Sequence, residues 1–313
     1  MTQRILQPGE IEGLDRTAIP HLRLPQRGTV FADRAARLRH LAKGHAIAGY
    51  LQLMAKVVEI QHETLAIFAT FSASTPCFHA VEHAEAHSMP VVNALGGARD
   101  PAWREVLRRI VDRIDAAGGA TPALRKLLDT LRAMNDAQLD NLADAVLALR
   151  PGEVDPATAP FVMAALQVVW TDIACRLDVR DVPYLETPGI CPVCGSMPVA
   201  SIVRIGGAYQ GYRFLQCGLC STEWHMVRVK CSHCDSTKGI AYHAIAEGDQ
   251  SIRAESCDTC GVYRKIGYQE KDYDMEPLAD DLASLALDLL MSEAGYRRAS
   301  PNPLLWPQDA DDA

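Results

Sequence analysis

Cys191-Pro-Val-Cys194, Cys217-Gly-Leu-Cys220, Cys231-Ser-His-Cys234 and Cys257-Asp-Thr-Cys260 punctuate the C-terminal half of a chain of 313 residues. Twenty-two residues separate Cys194 from Cys217, and 22 separate Cys234 from Cys257. The unit C-x2-C-x22-C-x2-C therefore occurs twice, with only the ten residues 221–230 between the copies. Paired cysteines repeated at a fixed spacing read as two tandem four-thiolate metal sites.

The reason is short-range geometry. Two cysteines three apart in a tight turn can aim both sulfurs at one ion, and a second such turn, brought back by a β-hairpin, completes a tetrahedron. Four thiolates suit zinc or a single iron. The alternatives are disulfides, redox pairs and plain buried thiols. Disulfides need an oxidising compartment. A redox pair sits at a helix start after a strand and normally occurs once. The doubled spacing favours metal ligation by Cys191, Cys194, Cys217, Cys220, Cys231, Cys234, Cys257 and Cys260.

Composition narrows the setting. The N-terminal ten residues, Met1-Thr-Gln-Arg-Ile-Leu-Gln-Pro-Gly-Glu, carry no charged-then-apolar signal pattern. The most apolar run, 161–175, is short and is interrupted by Gln167 and Asp172, so no membrane span is expected. These features predict a cytoplasmic protein with reduced thiols. The formal net charge is −8. Residues 185–270 hold eight Lys or Arg against eight Asp or Glu, with no basic stripe. That argues against a zinc-ribbon nucleic-acid-binding protein, the main alternative for any tandem-knuckle chain. No phosphate-binding glycine loop occurs either.

Upstream of the array the apolar period is helical. Residues 1–28, with Pro8, Pro20 and Pro25, read as an extended arm. An amphipathic run follows Phe31, and then a long apolar helix over 46–71. Further helices are expected over 101–117, from Thr121-Pro122 to about Met134, from an Asn135 or Asp136 cap to about Leu149, and from Asp155-Pro156 to about Leu177. The stretch Cys77-Phe-His79-Ala-Val-Glu82-His83-Ala-Glu85-Ala-His87 would stack His79, His83 and His87 on one helix face. His79-Ala-Val-Glu82-His83 formally matches an inverted zinc-peptidase pattern, one that arises cheaply in a His-rich stretch. A solvated or interface-lining helix is the reading adopted. Cys77 and Cys175 are read as buried structural thiols, Trp224 as ribbon core and His225 as surface.

After a linker at 179–189 the period switches to that of strands. Segments 199–205 and 209–216 are expected to form a hairpin across Gly206-Gly207, and 222–229 a returning strand. The second copy repeats this plan over 240–246, 252–255 and 262–266. The tail returns to helix, with Leu278, Leu282, Leu285 and Leu289 on one stripe and Gly295 as the stop.

At this point the residues resemble a family. Four ordered knuckles follow about 180 helical residues, and then come Pro277-Leu-Ala-Asp-Asp-Leu-Ala-Ser-Leu-Ala-Leu-Asp, Gly295-Tyr-Arg-Arg and Asn302-Pro-Leu. Together with Leu24-Pro and Phe31-Ala-Asp-Arg-Ala-Ala-Arg-Leu, the pattern is similar to the FdhE family of formate dehydrogenase accessory proteins. The resemblance implies a cytoplasmic maturation factor, not an enzyme, that acts on the catalytic subunit of respiratory formate dehydrogenase. It also implies rubredoxin-like knuckles that hold iron on the eight cysteines, with zinc as the other occupant four thiolates accept. Rubredoxin-type knuckles favour glycine after the second cysteine. Gly195 and Gly261 fit, whereas Ser221 and Asp235 stand at the other two positions.

The expected fold is multi-domain α plus small β. An α-helical domain over 1–180 precedes metal modules over 181–230 and 231–272, and a C-terminal helix and tail fill 273–313.

Overall fold

The computed structural model describes residues 19–68, 78–96, 99–185, 187, 189–245 and 248–306. Among the described residues, seven α-helices precede the knuckles: α1 (Val30–Leu41), α2 (Ala48–Phe68), α3 (Phe78–His87), α4 (Ala102–Ala116), α5 (Pro122–Ala133), α6 (Asp136–Leu147) and α7 (Ala159–Arg176). Their starts follow side-chain chemistry. The Thr121 hydroxyl accepts from the Leu124 N–H to open α5, and Asn135 and Gln138 form a reciprocal capping box at α6. The expected start at Asp155-Pro156 is spent on a turn in which Asp155 accepts from Ala157, and α7 begins at Ala159.

Helix α7 is the axis of the bundle. Every residue from Ala159 to Ala174 is buried, and α2, α4 and α6 pack around it. A helix apolar on all sides is stable in water only when enclosed in this way. Of its three buried polar side chains, Gln167 and Asp172 find partners, whereas the Thr171 hydroxyl has no hydrogen-bond partner among the described residues. Asp172 pairs with Arg27 and with Arg176, and Gln167 accepts from Gln61 at 2.9 Å. Among the described residues no helix is long and apolar enough to cross a membrane.

Among the described residues, seven strands of the C-terminal half and one from the N-terminal arm form one eight-stranded sheet. Its strands are β1 (Leu22–Arg23), β2 (Pro198–Val203), β3 (Arg213–Cys217), β4 (Glu223–His225), β5 (Ile240–His243), β6 (Ile252–Cys257), β7 (Val262–Tyr268) and β8 (Arg297–Arg298). The order is β1-β4-β3-β2-β7-β6-β5, with β8 pairing β7. Each repeat supplies an antiparallel three-strand meander, β2-β3-β4 and β5-β6-β7. The meanders join where β2 runs parallel to β7, with Ser201 opposite Ile266 and Val203 opposite Tyr268. The two repeats therefore share a continuous backbone hydrogen-bond network. The N-terminal arm adds β1 to the far edge, with Leu22 opposite Trp224.

Two further local expectations are corrected. The β2–β3 connection is longer than a Gly206-Gly207 turn. It holds a short 3-10 turn, Gly207–Tyr209, and closes with Gly211 N–H on Arg204 O at 2.8 Å. The tail is two helices, α8 (Pro277–Ala283) and α9 (Leu285–Glu293). They break at Ser284, whose hydroxyl donates back to the carbonyls of Asp280 and Asp281. The break turns the buried face: Leu278 and Leu282 are enclosed, but beyond it Leu287 and Met291 go inward while Leu289 is 67% exposed.

Candidate metal centres

The eight cysteines of the knuckles form two cages. The sulfurs of Cys191, Cys194, Cys217 and Cys220 all lie within 4.8 Å of one another, as do those of Cys231, Cys234, Cys257 and Cys260. In the first cage Cys191 Sγ is 3.5 Å from Cys220 Sγ, and Cys194 Sγ is 3.4 Å from Cys217 Sγ. In the second the corresponding separations, Cys231 to Cys260 and Cys234 to Cys257, are 3.8 and 3.7 Å. A tetrahedron with metal–sulfur bonds of about 2.3 Å has edges of about 3.8 Å. A disulfide would bring sulfurs to about 2.05 Å. Both clusters can therefore hold a metal ion, and the donor set suits iron or zinc.

Each cage is built by a strand end and a turn. Strand β3 delivers Cys217 and β6 delivers Cys257 at matching positions of the two repeats. Backbone N–H groups point at the sulfurs: those of Leu219 and Cys220 at Cys217 Sγ, and that of His233 at Cys231 Sγ. The residue after the second cysteine has the same left-handed backbone in all four knuckles, with φ of +76° at Gly195, +61° at Ser221, +63° at Asp235 and +67° at Gly261. Ser221 and Asp235 thus keep the glycine geometry without the glycine. The N–H of Gly195 donates to Cys191 O, that of Asp235 to Cys231 O and that of Gly261 to Cys257 O.

The electrostatics of both clusters favour a cation. Burial raises the Cys191 and Cys220 thiols well above the ordinary thiol range. At Cys194 the same burial is outweighed by hydrogen bonds from Cys191, Cys217 and Cys220, which hold that sulfur low. In the second cage burial again opposes ionisation, but the N–H groups of Cys260 and Thr259 help bring Cys257 down to about 7, while burial lifts Cys260 to about 12. One sulfur ionises at the expense of its neighbours. A divalent or trivalent ion would allow all four to be thiolates together.

The cages differ in their surroundings. All four sulfurs of the first are fully buried and sit in the same apolar core as the helices. The helical region grips both of its knuckles. The N–H groups of Val91, Val92 and Ala94 donate to the carbonyls of Pro192, Val193 and Cys194, and Gln167 Nε2 donates to Gly218 O at 2.7 Å. In the second cage Cys231 and Cys257 belong to a small cluster with Val262, Cys260 is half-buried and Cys234 is exposed.

Other candidate residues fall outside these centres. Within α3 the rings of His83 and His87 lie 4.5 Å apart, and the side chain of His79 lies outside the described residues, as does Cys77. Among the described residues only the two cysteine sets bring three or more potential ligands together. Cys175 is half-buried, donates to Pro25 O, and is lifted by burial to about 11. Trp224 is core, as expected.

Sequence reasoning missed a buried ionic seam between the helices and the ribbons. Arg34 pairs with Glu276 at 2.9 Å, and Arg37 binds Asp280 and Asp272, each at 2.6 Å. Asp281 takes Arg298 and the Asn302 amide, and Lys265 of β7 reaches Asp288 at 2.6 Å. Arginines at Arg34 and Arg37 on an amphipathic helix look like a solvated face. The only sequence hint was that both belong to the stretch on which the family resemblance rests.

Comparison with known proteins covers the whole of this architecture. Three family models match in order: "FdhE, N-terminal" over residues 19–186, "FdhE, central domain" over 190–228 and "FdhE, C-terminal domain" over 229–305. The chain is 37% identical to "Protein FdhE homolog" of Cronobacter sakazakii over 99% of its length and all of the relative. It is 37% identical to "Protein FdhE" of Escherichia coli, again over 99% of this chain and 100% of that protein. Among solved structures it is similar to that of the FdhE protein from Pseudomonas aeruginosa, with a TM-score of 0.78 and 36% identity, covering 92% of this chain and 100% of the other.

Proposed function

The chain belongs to the FdhE family, and on that premise we propose that it is a cytoplasmic maturation factor for the catalytic subunit of a respiratory formate dehydrogenase. It binds that subunit before the enzyme is complete and turns over no small molecule of its own. Cys191, Cys194, Cys217 and Cys220 hold one ion; Cys231, Cys234, Cys257 and Cys260 hold the other. Iron is the proposed occupant of both, with zinc able to replace it.

The observation that carries this reading is the full-length match in the presence of both four-sulfur cages. The first cage supports a structural role. It lies at the junction of bundle and sheet, where a bound ion would contribute folding free energy, about 10–16 kcal/mol for a structural zinc at neutral pH. The bundle and the ribbons then present one rigid surface to a client. The second cage, nearer the surface, is the better placed of the two for electron transfer.

The test is complementation. A bacterial strain that lacks its own FdhE should recover formate dehydrogenase activity when this chain is expressed, and a tagged chain should retain the immature catalytic subunit. Loading with redox-inert zinc separates the roles: activity that survives zinc assigns both ions to structure, and activity lost with zinc but kept with iron assigns one to electron transfer. Failure to restore activity with any metal would remove the proposal.

A further inference from the structure

Resting on the four-sulfur reading above, we propose that the second centre is an open coordination site, at which a thiol from another molecule replaces Cys234 on the bound ion, while the first centre is closed to such exchange.

The contrast is built into the fold. The four sulfurs of the first cage have no exposure, and the loop at Val91, Val92 and Ala94 and the Gln167 amide close over its two knuckles. In the second cage three ligands are anchored. Cys231 and Cys257 are 4% and 2% exposed, Cys257 ends strand β6, and Cys260 leads directly into β7. The inner side of the Cys231-Ser-His-Cys234 turn is pinned by Arg264, whose buried Nε donates to Ser232 Oγ at 2.9 Å. Cys234 alone lies on the exposed side. The residues that follow Cys234 and precede Cys260 in sequence are polar. Ser236 Oγ meets Thr259 Oγ1 at 3.0 Å, and Asp235 forms a surface ion pair with Lys230 at 3.0 Å. These side-chain contacts are weak restraints, because exposed pairs contribute little, and the turn is otherwise held by the backbone bonds of Asp235 N–H to Cys231 O and of Cys231 N–H to Ser236 O.

Displacement here needs no redox partner. The incoming thiol gives up its proton as its sulfur bonds to the ion, the bond to Cys234 Sγ breaks, and Cys234 takes up a proton. The ion keeps four sulfur donors and its oxidation state, and Cys231, Cys257 and Cys260 keep it in the protein.

Two measurements on the full-length chain decide the matter. In the first, zinc-loaded wild-type protein is labelled with N-ethylmaleimide under native conditions and the sites are followed by peptide mass spectrometry. Cys234 should react first of the eight, with Cys191, Cys194, Cys217 and Cys220 slower by roughly tenfold or more, since they wait on a larger opening. In the second, the cobalt-loaded Cys234→Ala variant should regain tetrathiolate-type visible absorption when a thiol is added, whereas Cys194→Ala should not. Running this with 2-mercaptoethanol and with a cysteine-containing peptide separates the sources. Recovery with the peptide assigns the thiol to a protein side chain, and recovery with the small thiol alone assigns it to a metabolite-sized donor.

Equal labelling of both cages, or no recovery with either thiol, overturns the proposal while leaving two metal sites intact. A wild-type chain that takes up no metal overturns the underlying reading as well. Should Cys234→Ala or Cys194→Ala fail to fold, the wild-type labelling order still decides.

Discussion

Arg213 and Glu255 meet at 2.7 Å across the two central strands of the sheet, and both are buried. Arg213 lies on the strand that ends in Cys217, and Glu255 on the strand that ends in Cys257. One ion pair thus links the strands that feed the two cages. Ser201 of β2 accepts from the same guanidinium, as does the carbonyl of Lys230, and Tyr242 donates to Glu255. The pair and its neighbours fix the two repeats relative to each other over the parallel β2–β7 seam.

Removing one partner leaves the other charge buried. Arg213→Met or Glu255→Gln should destabilise the metal-loaded protein by about 3–5 kcal/mol, and the double change Arg213→Met with Glu255→Leu should recover much of the loss. Denaturant midpoints of the three variants test this. If the double variant is less stable than either single one, the pair is not the link described.

The shared left-handed backbone of the knuckles makes a second prediction. Gly261 faces open space at φ +67°, so Gly261→Ala should cost only the conformational penalty of about 1–2 kcal/mol. Gly195→Ala should cost more, because the new Cβ would stand 3.3 Å from Asn93 Oδ1 and 3.3 Å from Pro90 Cγ. Asp235→Gly runs the other way. It relieves a penalty of about 1 kcal/mol at φ +63° and loses only a surface pair with Lys230. Thermal unfolding of the loaded variants should rank Asp235→Gly above wild type, then Gly261→Ala, then Gly195→Ala.

How much of this was legible beforehand follows from the range of the interactions involved. The gathering of the eight sulfurs into two clusters could be read because the cysteine pairs and their spacing are local, and the caps at Thr121 and Asn135 for the same reason. The pairing of β2 with β7 could not. It is a register between backbones far apart in sequence, and both strands are enclosed, so their apolar pattern names no neighbour. The break at Ser284 was hidden by leucines that keep a helical spacing straight through it, while the hydroxyl turned back on its own helix. The arginines of α1 were hidden because their carboxylates lie more than 230 residues downstream. Gln167 was visible as a polar intrusion in an apolar run, but its partner at Gly218 was not.

Two buried carboxylates give opposite dependences on pH. Burial pushes Asp280 up to about 6, against the pull of Arg37. Its folded value therefore lies above the ordinary 3.8, so its contribution to stability is complete below that value and is lost as pH rises through about 6. At Glu223 burial also opposes the charge, but Arg204 and Arg23 outweigh it and hold the carboxyl below the ordinary 4.5. Its contribution is present above 4.5 and is lost as pH falls through the lowered value. Thermal midpoints against pH should thus lose their decline towards about pH 6 in Asp280→Asn, and lose part of their acid limb in Glu223→Gln. Unchanged profiles would mean that neither group is held as described.

The Gln61–Gln167–Gly218 chain carries the last prediction. It begins on α2, crosses α7 and ends on the carbonyl inside the Cys217-Gly-Leu-Cys220 turn. Gln167→Leu fits the same apolar helix but leaves the Gly218 carbonyl and the Gln61 amide without that partner. Such a change should cost about 1–3 kcal/mol. Its more specific effect is on the cage. With the turn released, Cys217 and Cys220 should react with a thiol reagent faster than in wild type, while Cys234 keeps its wild-type rate. Val92→Pro, which removes the N–H bound to Val193 O at 2.8 Å, should do the same to Cys191 and Cys194 from the other side. If either substitution lowers stability without raising the reactivity of the adjacent knuckle, the helices stabilise the fold but do not close the first cage. Its inertness would then come from the sheet alone.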